Sequence, residues 1–292
     1  MTLTFITTIP DEEKDLFADF IREARSKYIS SPKDTVLKVL EDHKELLPDA
    51  QQNIPISPII KELREHSYNY FLVQESAMNA YILKHISEKF SLPKQRFDRL
   101  YDAFMASNEH QKEKLKTFFG EYAGHIYPYI YALSLSNTQS RRARAGKVFE
   151  GIIYALYEAL EYPYESQATV GSKTFKEKHL GKIVDSLLPN LAAFEGRRDK
   201  VVIGTMKTTL RERWQEVIEE ATRTGLPSIY LLTADDDISG SKAEQMSNHN
   251  VILVVYDDVK TTSALSEMHN VISFEDYFYK EIPDKLKYWS GQ

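Results

Sequence analysis

The stretch "KVVIGTMKTTLRERWQEVIEE", residues 200–220, decides the fold. Its first half, through Met206, is an apolar, β-branched run of the kind that forms a strand buried on both faces. Its second half changes period. Leu210, Trp214, Val217 and Ile218, with Ala221 just beyond, share one face of a helix running from about Leu210 to Thr224. Further buried-strand runs occur in "PSIYLLTA" (227–234) and "NVILVVYD" (250–257), and shorter ones in "DSLLP" (185–189) and "NVISF" (270–274). Strands alternating with helices predict an α/β layer with a largely parallel or mixed central sheet flanked by helices.

Upstream the pattern is different. From Asp11 to about Tyr122, "DLFADFIREA", "TVLKVLEDH", "YFLVQESAMNAYILKHISEKF" and "RFDRLYDAF" carry apolar residues at helical spacing, with breakers at Pro32, at 47–58 and at 91–94. Residues 122–140, "YAGHIYPYIYALSLSNTQS", read as a Tyr-rich connector, and "AGKVFEGIIYALYEALE" (145–161) as a helix. The expected organisation is an all-helical N-terminal region over 1–125 and an α/β domain over 126–292.

Composition removes several function classes. The chain has no cysteine, so disulfides, thiolate metal sites and cysteine nucleophiles are excluded, and its eight histidines show no HExxH-like spacing that would suggest a zinc enzyme. No apolar run approaches the roughly 20 residues that span a bilayer, and the N-terminus lacks signal-peptide character, so a cytoplasmic protein without membrane contact is expected. The net charge of −6 argues against non-specific coating of nucleic acid. Charge distribution is more informative: "SRRARAGK" (140–147) holds four cations and no acid, whereas residues 1–50 carry eleven acids against seven Lys and Arg. A local basic site on an acidic body fits that pattern.

Lys207 closes the apolar strand, which puts its ammonium at the C-terminal edge, where open α/β sheets place ligands; a snorkelling edge lysine is the alternative. Thr209-Leu210-Arg211-Glu212 matches a capping box, with Thr209 as N-cap and Glu212 as its partner. Glu220 borders the apolar stripe of the helix, while Glu219 points away from it. Asp185 follows two β-branched residues and precedes two leucines, the setting either of a placed acid or of a strand-initiating turn. An Asp from one strand, a Lys from the next and a Glu from the adjoining helix can hold Mg²⁺ and orient water against a phosphodiester. Asp235, Asp236 and Asp237 follow a strand and read as an acidic turn rather than a metal site. Trp214 reads as core, and the aromatics of "YNYFL" (68–72) as helical packing rather than a base-stacking pocket.

Together, "SRRARAGKVFE", "VDSLLP" and "VVIGTMKTTLRERW", with a Glu thirteen positions after the Lys, resemble the type II restriction endonucleases that read CCGG or CC-N-GG cores. These belong to the PD-(D/E)XK superfamily and include BsaWI, AgeI and EcoRII. The resemblance covers about residues 137–222 and implies a restriction-endonuclease-like fold and Mg²⁺-dependent cleavage of double-stranded DNA. It makes Asp185 and Glu220 the metal carboxylates, Lys207 the catalytic lysine and Glu150 a further acid of the site. It makes Arg211 and Arg213 the readers of two guanines, Glu212 the reader of cytosines in place of its capping role, and Gln139 a contact to the central base pairs. Arg141, Arg142, Arg144 and Lys147 would meet phosphates. Val184 stands where Pro is usual, and Thr205 where many members carry a strand Glu. A CCGG palindrome implies a homodimer able to associate further, with the N-terminal helices serving dimer or flank contacts. The alternatives are a CC-N-GG or CCWGG reader and a non-catalytic DNA-binding protein.

Overall fold

A computed structural model describes residues 5–291 apart from 50–52, 109, 178–179, 181–182 and 212. The chain divides into two compact units, Met1–Thr35 with Tyr68–Arg144 and Val36–Ser67 with Ala145–Gln292. The division interleaves rather than cutting once near residue 125, because two long helices, Ile56–Lys89 and Tyr127–Ala159, each contribute to both units.

The first unit is helical. Asp11–Tyr28, Ser91–Ala106 and Gln111–His125 join parts of the two long helices around a core that includes Phe17, Phe20, Phe71, Ile82, Phe90, Tyr129 and Leu133. The expected helical character of this region is therefore met, with Pro32 between two helices as expected, at the first residue of the second (Pro32–Asp42). Glu13 shows how its helices are joined. Its buried carboxylate accepts the Ser91 amide at 3.0 Å and the Ser91 hydroxyl at 2.6 Å, and also the Tyr129 hydroxyl. It thereby satisfies donors at the start of the Ser91–Ala106 helix that have no intrahelical partner.

The Tyr-rich connector expected over 122–140 is instead helical, closing one helix at His125 and opening the next at Tyr127. Pro128 falls in the first turn, where its missing N–H costs nothing. Tyr129, Leu133 and Asn137, one helical turn apart, are all buried. The helix anticipated at 145 thus begins eighteen residues earlier, and "SRRARAGK" lies in its middle.

The second unit holds one six-stranded sheet in the order β1 (Glu165–Ser166), β2 (Ser186–Leu188), β3 (Val202–Lys207), β4 (Ile229–Thr233), β5 (Val251–Val255) and β6 (Val271–Ser273). β1, β2 and β3 pair antiparallel, and β3 to β6 run parallel, so the sheet is mixed as expected. Residues 202–206 and all of β4 are buried, which explains their lack of alternation. Phe149, Ile152, Ile153, Leu156 and Tyr157, at helical spacing on the Tyr127–Ala159 helix, supply further core.

Candidate active site

Lys207 and Thr233 lie opposite one another at the ends of the parallel strands β3 and β4. Chain leaving both strands therefore emerges at one edge of the sheet, where such sheets gather ligand-binding groups. Asp185 reaches this edge from the other side: it immediately precedes β2, and its amide donates to the Gly204 carbonyl at 2.8 Å. Its carboxylate Oδ2 accepts the Met206 amide at 2.7 Å, stands 3.4 Å from Thr205 Oγ1 and lies 3.8 Å from Lys207 Nζ. The sequence-predicted acid and lysine thus meet, with side-chain exposures of 14% and 17%.

Burial raises the Asp185 carboxyl from 3.8 to about 6, Lys207 opposes that shift, and the negative charge of Glu150 adds to it. Glu150 is itself paired with Lys147, at 2.8 and 3.0 Å. On the helix that carries Glu150, Tyr154 stands one turn further along, and its hydroxyl donates to the Asp185 carbonyl at 3.0 Å. Burial and the charges of Asp185 and Glu150 keep this phenol protonated, and so a donor, at any working pH. Gln167 Nε2 donates to the Val184 carbonyl at 2.7 Å. Because β1 is only two residues long, it pairs no further back than Ser186.

Glu220 lies on the helix Arg213–Thr224, where both its oxygens engage the Arg223 guanidinium, one at 3.0 Å. Among the described residues no three carboxylates or imidazoles form a ready metal cluster. Each of the three proposed acids has a cation beside it: Lys207 by Asp185, Lys147 by Glu150 and Arg223 by Glu220. The donor set nonetheless suits a hard divalent cation. Asp185 is an oxygen donor whose ionisation is opposed by burial and by Glu150, an imbalance that a cation would correct.

The loop after β3 differs from expectation. The described helix spans Arg213–Thr224 and, with Arg211 outside helical backbone, does not start at Leu210, so Thr209 does not flank it. Arg211 has a left-handed φ of 32°, which helical backbone excludes, and the Leu210 amide goes to the Asp235 carboxylate at 2.7 Å. Arg211 and Arg213 are exposed, and neither forms an ion pair among the described residues. Glu212 lies outside the described residues. Of the other acids in the 235–237 run, Asp237 donates its amide to Asp235 Oδ1 at 3.2 Å, the bonding of an acidic turn. Trp214 is buried, as read.

The basic cluster is divided in its use. Arg141 forks onto the buried Glu75 carboxylate, and Arg144 bonds the Ser30 carbonyl and stacks 5.1 Å over Phe71. Arg142 and Gln139 are exposed. Nothing local marks Glu75 as the partner of Arg141, since 66 residues separate the pair. Tyr154 and Asp235 were likewise missed as members of the site. The only available signal for Tyr154 was its i,i+4 spacing from Glu150.

A family model described as EcoRII C terminal matches residues 105–278. The type II restriction enzyme SsoII of Shigella sonnei is 33% identical over 213 residues, covering 71% of this chain and 68% of that enzyme. The structure of metal-depleted Ecl18kI in complex with uncleaved DNA superposes with a TM-score of 0.76 at 28% identity, covering 95% of this chain and 86% of that one. The PspGI–substrate DNA complex shares the fold, with a TM-score of 0.58 at 15% identity over 97% of this chain and all of that one.

Proposed function

We propose that this chain, which belongs to the EcoRII C-terminal family and is a type II site-specific deoxyribonuclease, hydrolyses both strands of duplex DNA at a palindrome with a CCGG core, in a Mg²⁺-dependent reaction. One observation carries the catalytic assignment: a buried carboxylate, Asp185, and a lysine, Lys207, meet at 3.8 Å at the open edge of the parallel strands, within the field of Glu150. Asp185 would hold the metal, with Glu150 and Glu220 as the neighbouring acids once they leave Lys147 and Arg223. Bound there, Mg²⁺ would neutralise charge at the scissile phosphate and acidify the attacking water. Lys207 would orient that water and stabilise charge on the phosphorus oxygens in the transition state. The Met206 amide fixes the Asp185 carboxylate for this task without a mobile side chain.

Arg211 and Arg213, exposed directly after the lysine strand, are the proposed guanine readers, each suited to a bidentate pair with O6 and N7. Glu212 would read cytosine, Gln139 would touch the central base pairs, and Arg142 would meet a phosphate. Lys147, Arg141 and Arg144 are engaged internally and would have to exchange partners to do the same. A palindrome read by identical arginines calls for two copies of the chain about a two-fold axis. The helical N-terminal region would serve dimer or flank contacts.

The deciding experiment is digestion of a long natural DNA in Mg²⁺ followed by sequencing of the fragment ends. Discrete fragments sharing one CCGG-containing end sequence are expected. An interrupted CC-N-GG or CCWGG core appears in the same data as one extra base pair between the half-sites, and a smear would overturn site-specific reading.

A further inference from the structure

The loop that carries the proposed guanine readers is held from outside itself. β3 and β4 are parallel, with Lys207 opposite Thr233, so the loops that follow them leave the sheet side by side. Asp235, two residues beyond β4, spans the gap. One carboxylate oxygen accepts the Leu210 amide at 2.7 Å, and the other accepts the Asp237 amide at 3.2 Å. Its own amide donates to Thr233 Oγ1 at 3.1 Å, so the acid is fixed to its strand before it reaches across.

What it grips is the anchor of the reading loop. Leu210 is fully buried, and its carbonyl accepts the Arg213 amide at 2.6 Å. The chain therefore closes on itself between Leu210 and Arg213, with Arg211 exposed between them at a φ of 32°. A non-glycine residue in the left-handed region persists only where its surroundings hold it. At the flanking Leu210 amide a neighbouring strand's loop supplies such a hold by a charged hydrogen bond.

We propose that Asp235 is a positioning residue for sequence specificity: it sets Arg211 and Arg213 in the geometry that discriminates bases, without touching DNA itself. Its premise is the base-reading role proposed for those arginines. Bidentate recognition tolerates little angular error, whereas a phosphate contact does not depend on such alignment. Releasing the loop should therefore lower discrimination more than overall affinity. Asp236, exposed and adjacent, carries the same charge without that bond and serves as the control.

The test is equilibrium binding of the full chain to duplexes bearing the site found by fragment-end sequencing, and to duplexes with one guanine replaced, in the absence of divalent metal. Asp235→Ala should reduce the ratio of the two affinities about tenfold, within the range one bidentate pair confers. Asp235→Asn, which still offers an acceptor oxygen, should recover most of the ratio, and Asp236→Ala should leave it unchanged. Should Asp235→Ala not fold, Asp235→Glu displaces the acceptor while keeping the charge and should lower the same ratio. Uniform weakening with an unchanged ratio would assign Asp235 to folding alone and overturn the inference. An equal fall in Asp236→Ala would replace the hydrogen bond with simple charge and overturn it too. A wild-type ratio near one would instead remove the base-reading premise, and this role with it.

Discussion

Asp185→Asn should stabilise the metal-free protein at neutral pH while abolishing cleavage. Burial raises the Asp185 carboxyl from 3.8 to about 6, so its ionised form is disfavoured in the folded state. At about 1.4 kcal/mol per pH unit, this amounts to a cost of about 3 kcal/mol above pH 6. The sign follows from proton counts. Between about pH 4 and 6 the folded chain retains a proton that the unfolded chain has lost, so stability falls as pH rises through this window. Below it both states are protonated and the cost vanishes. Asparagine mimics the protonated acid and can still accept the Met206 amide now bound at 2.7 Å. Denaturant unfolding of both proteins in EDTA should show nearly equal stability at pH 4 and an advantage of about 2–3 kcal/mol for Asp185→Asn at pH 8. A difference that stays flat with pH, or a variant less stable at pH 8, would refute the claim that this carboxylate is held against its solvation preference.

Lys207→Ala should lose cleavage by several orders of magnitude while metal-free binding of the cognate duplex changes little, measured by fragment release and by gel shift. Tyr154→Phe removes only the hydroxyl that holds the Asp185 carbonyl at 3.0 Å; it should raise the Mg²⁺ concentration for half-maximal cleavage several-fold and speed amide exchange at Asp185 and Met206. Unchanged exchange would show that the hydroxyl holds nothing. Arg213→Ala should lose discrimination at one guanine, worth about 1–3 kcal/mol, whereas equal weakening on all sequences would make it a phosphate contact. Arg142→Ala should lower the salt dependence of DNA binding by about one ion, while Arg141→Ala should lower the melting temperature, because its guanidinium serves the buried Glu75.

Legibility in the sequence followed the range over which each feature is encoded. β3 and the helix after it could be read because their periods are local: residues 202–206 are all buried, and Trp214, Val217 and Ala221 share one face. The sheet class followed from the same alternation. The 122–140 segment was misread because its buried positions, Tyr129, Leu133 and Asn137, mix aromatic, aliphatic and polar residues, so composition concealed a helical period. The start of the next helix was misplaced for a different reason. Thr209 and Glu212 carry a capping signature, yet Arg211 stands at a φ of 32° and Asp235, 25 residues from Leu210, holds the Leu210 amide, and no local pattern announces either.

The site shows the same division more sharply. The proximity of Asp185 and Lys207 was legible because they stand at the ends of successive strands, and antiparallel pairing of β2 with β3 brings them to 3.8 Å. The pairing of Arg141 with Glu75 was not legible, because 66 residues separate them and a cation's residue type does not say which acid it meets. Lys147 and Arg223 lie three residues from Glu150 and Glu220, a spacing that places side chains together on any helix. The same local geometry that supplies each of these acids with a cation therefore sets what a divalent ion would have to displace under the proposed function. Lys147 and Arg141, engaged by Glu150 and Glu75, also make the basic cluster partly an internal counterweight to acids rather than wholly a surface for DNA.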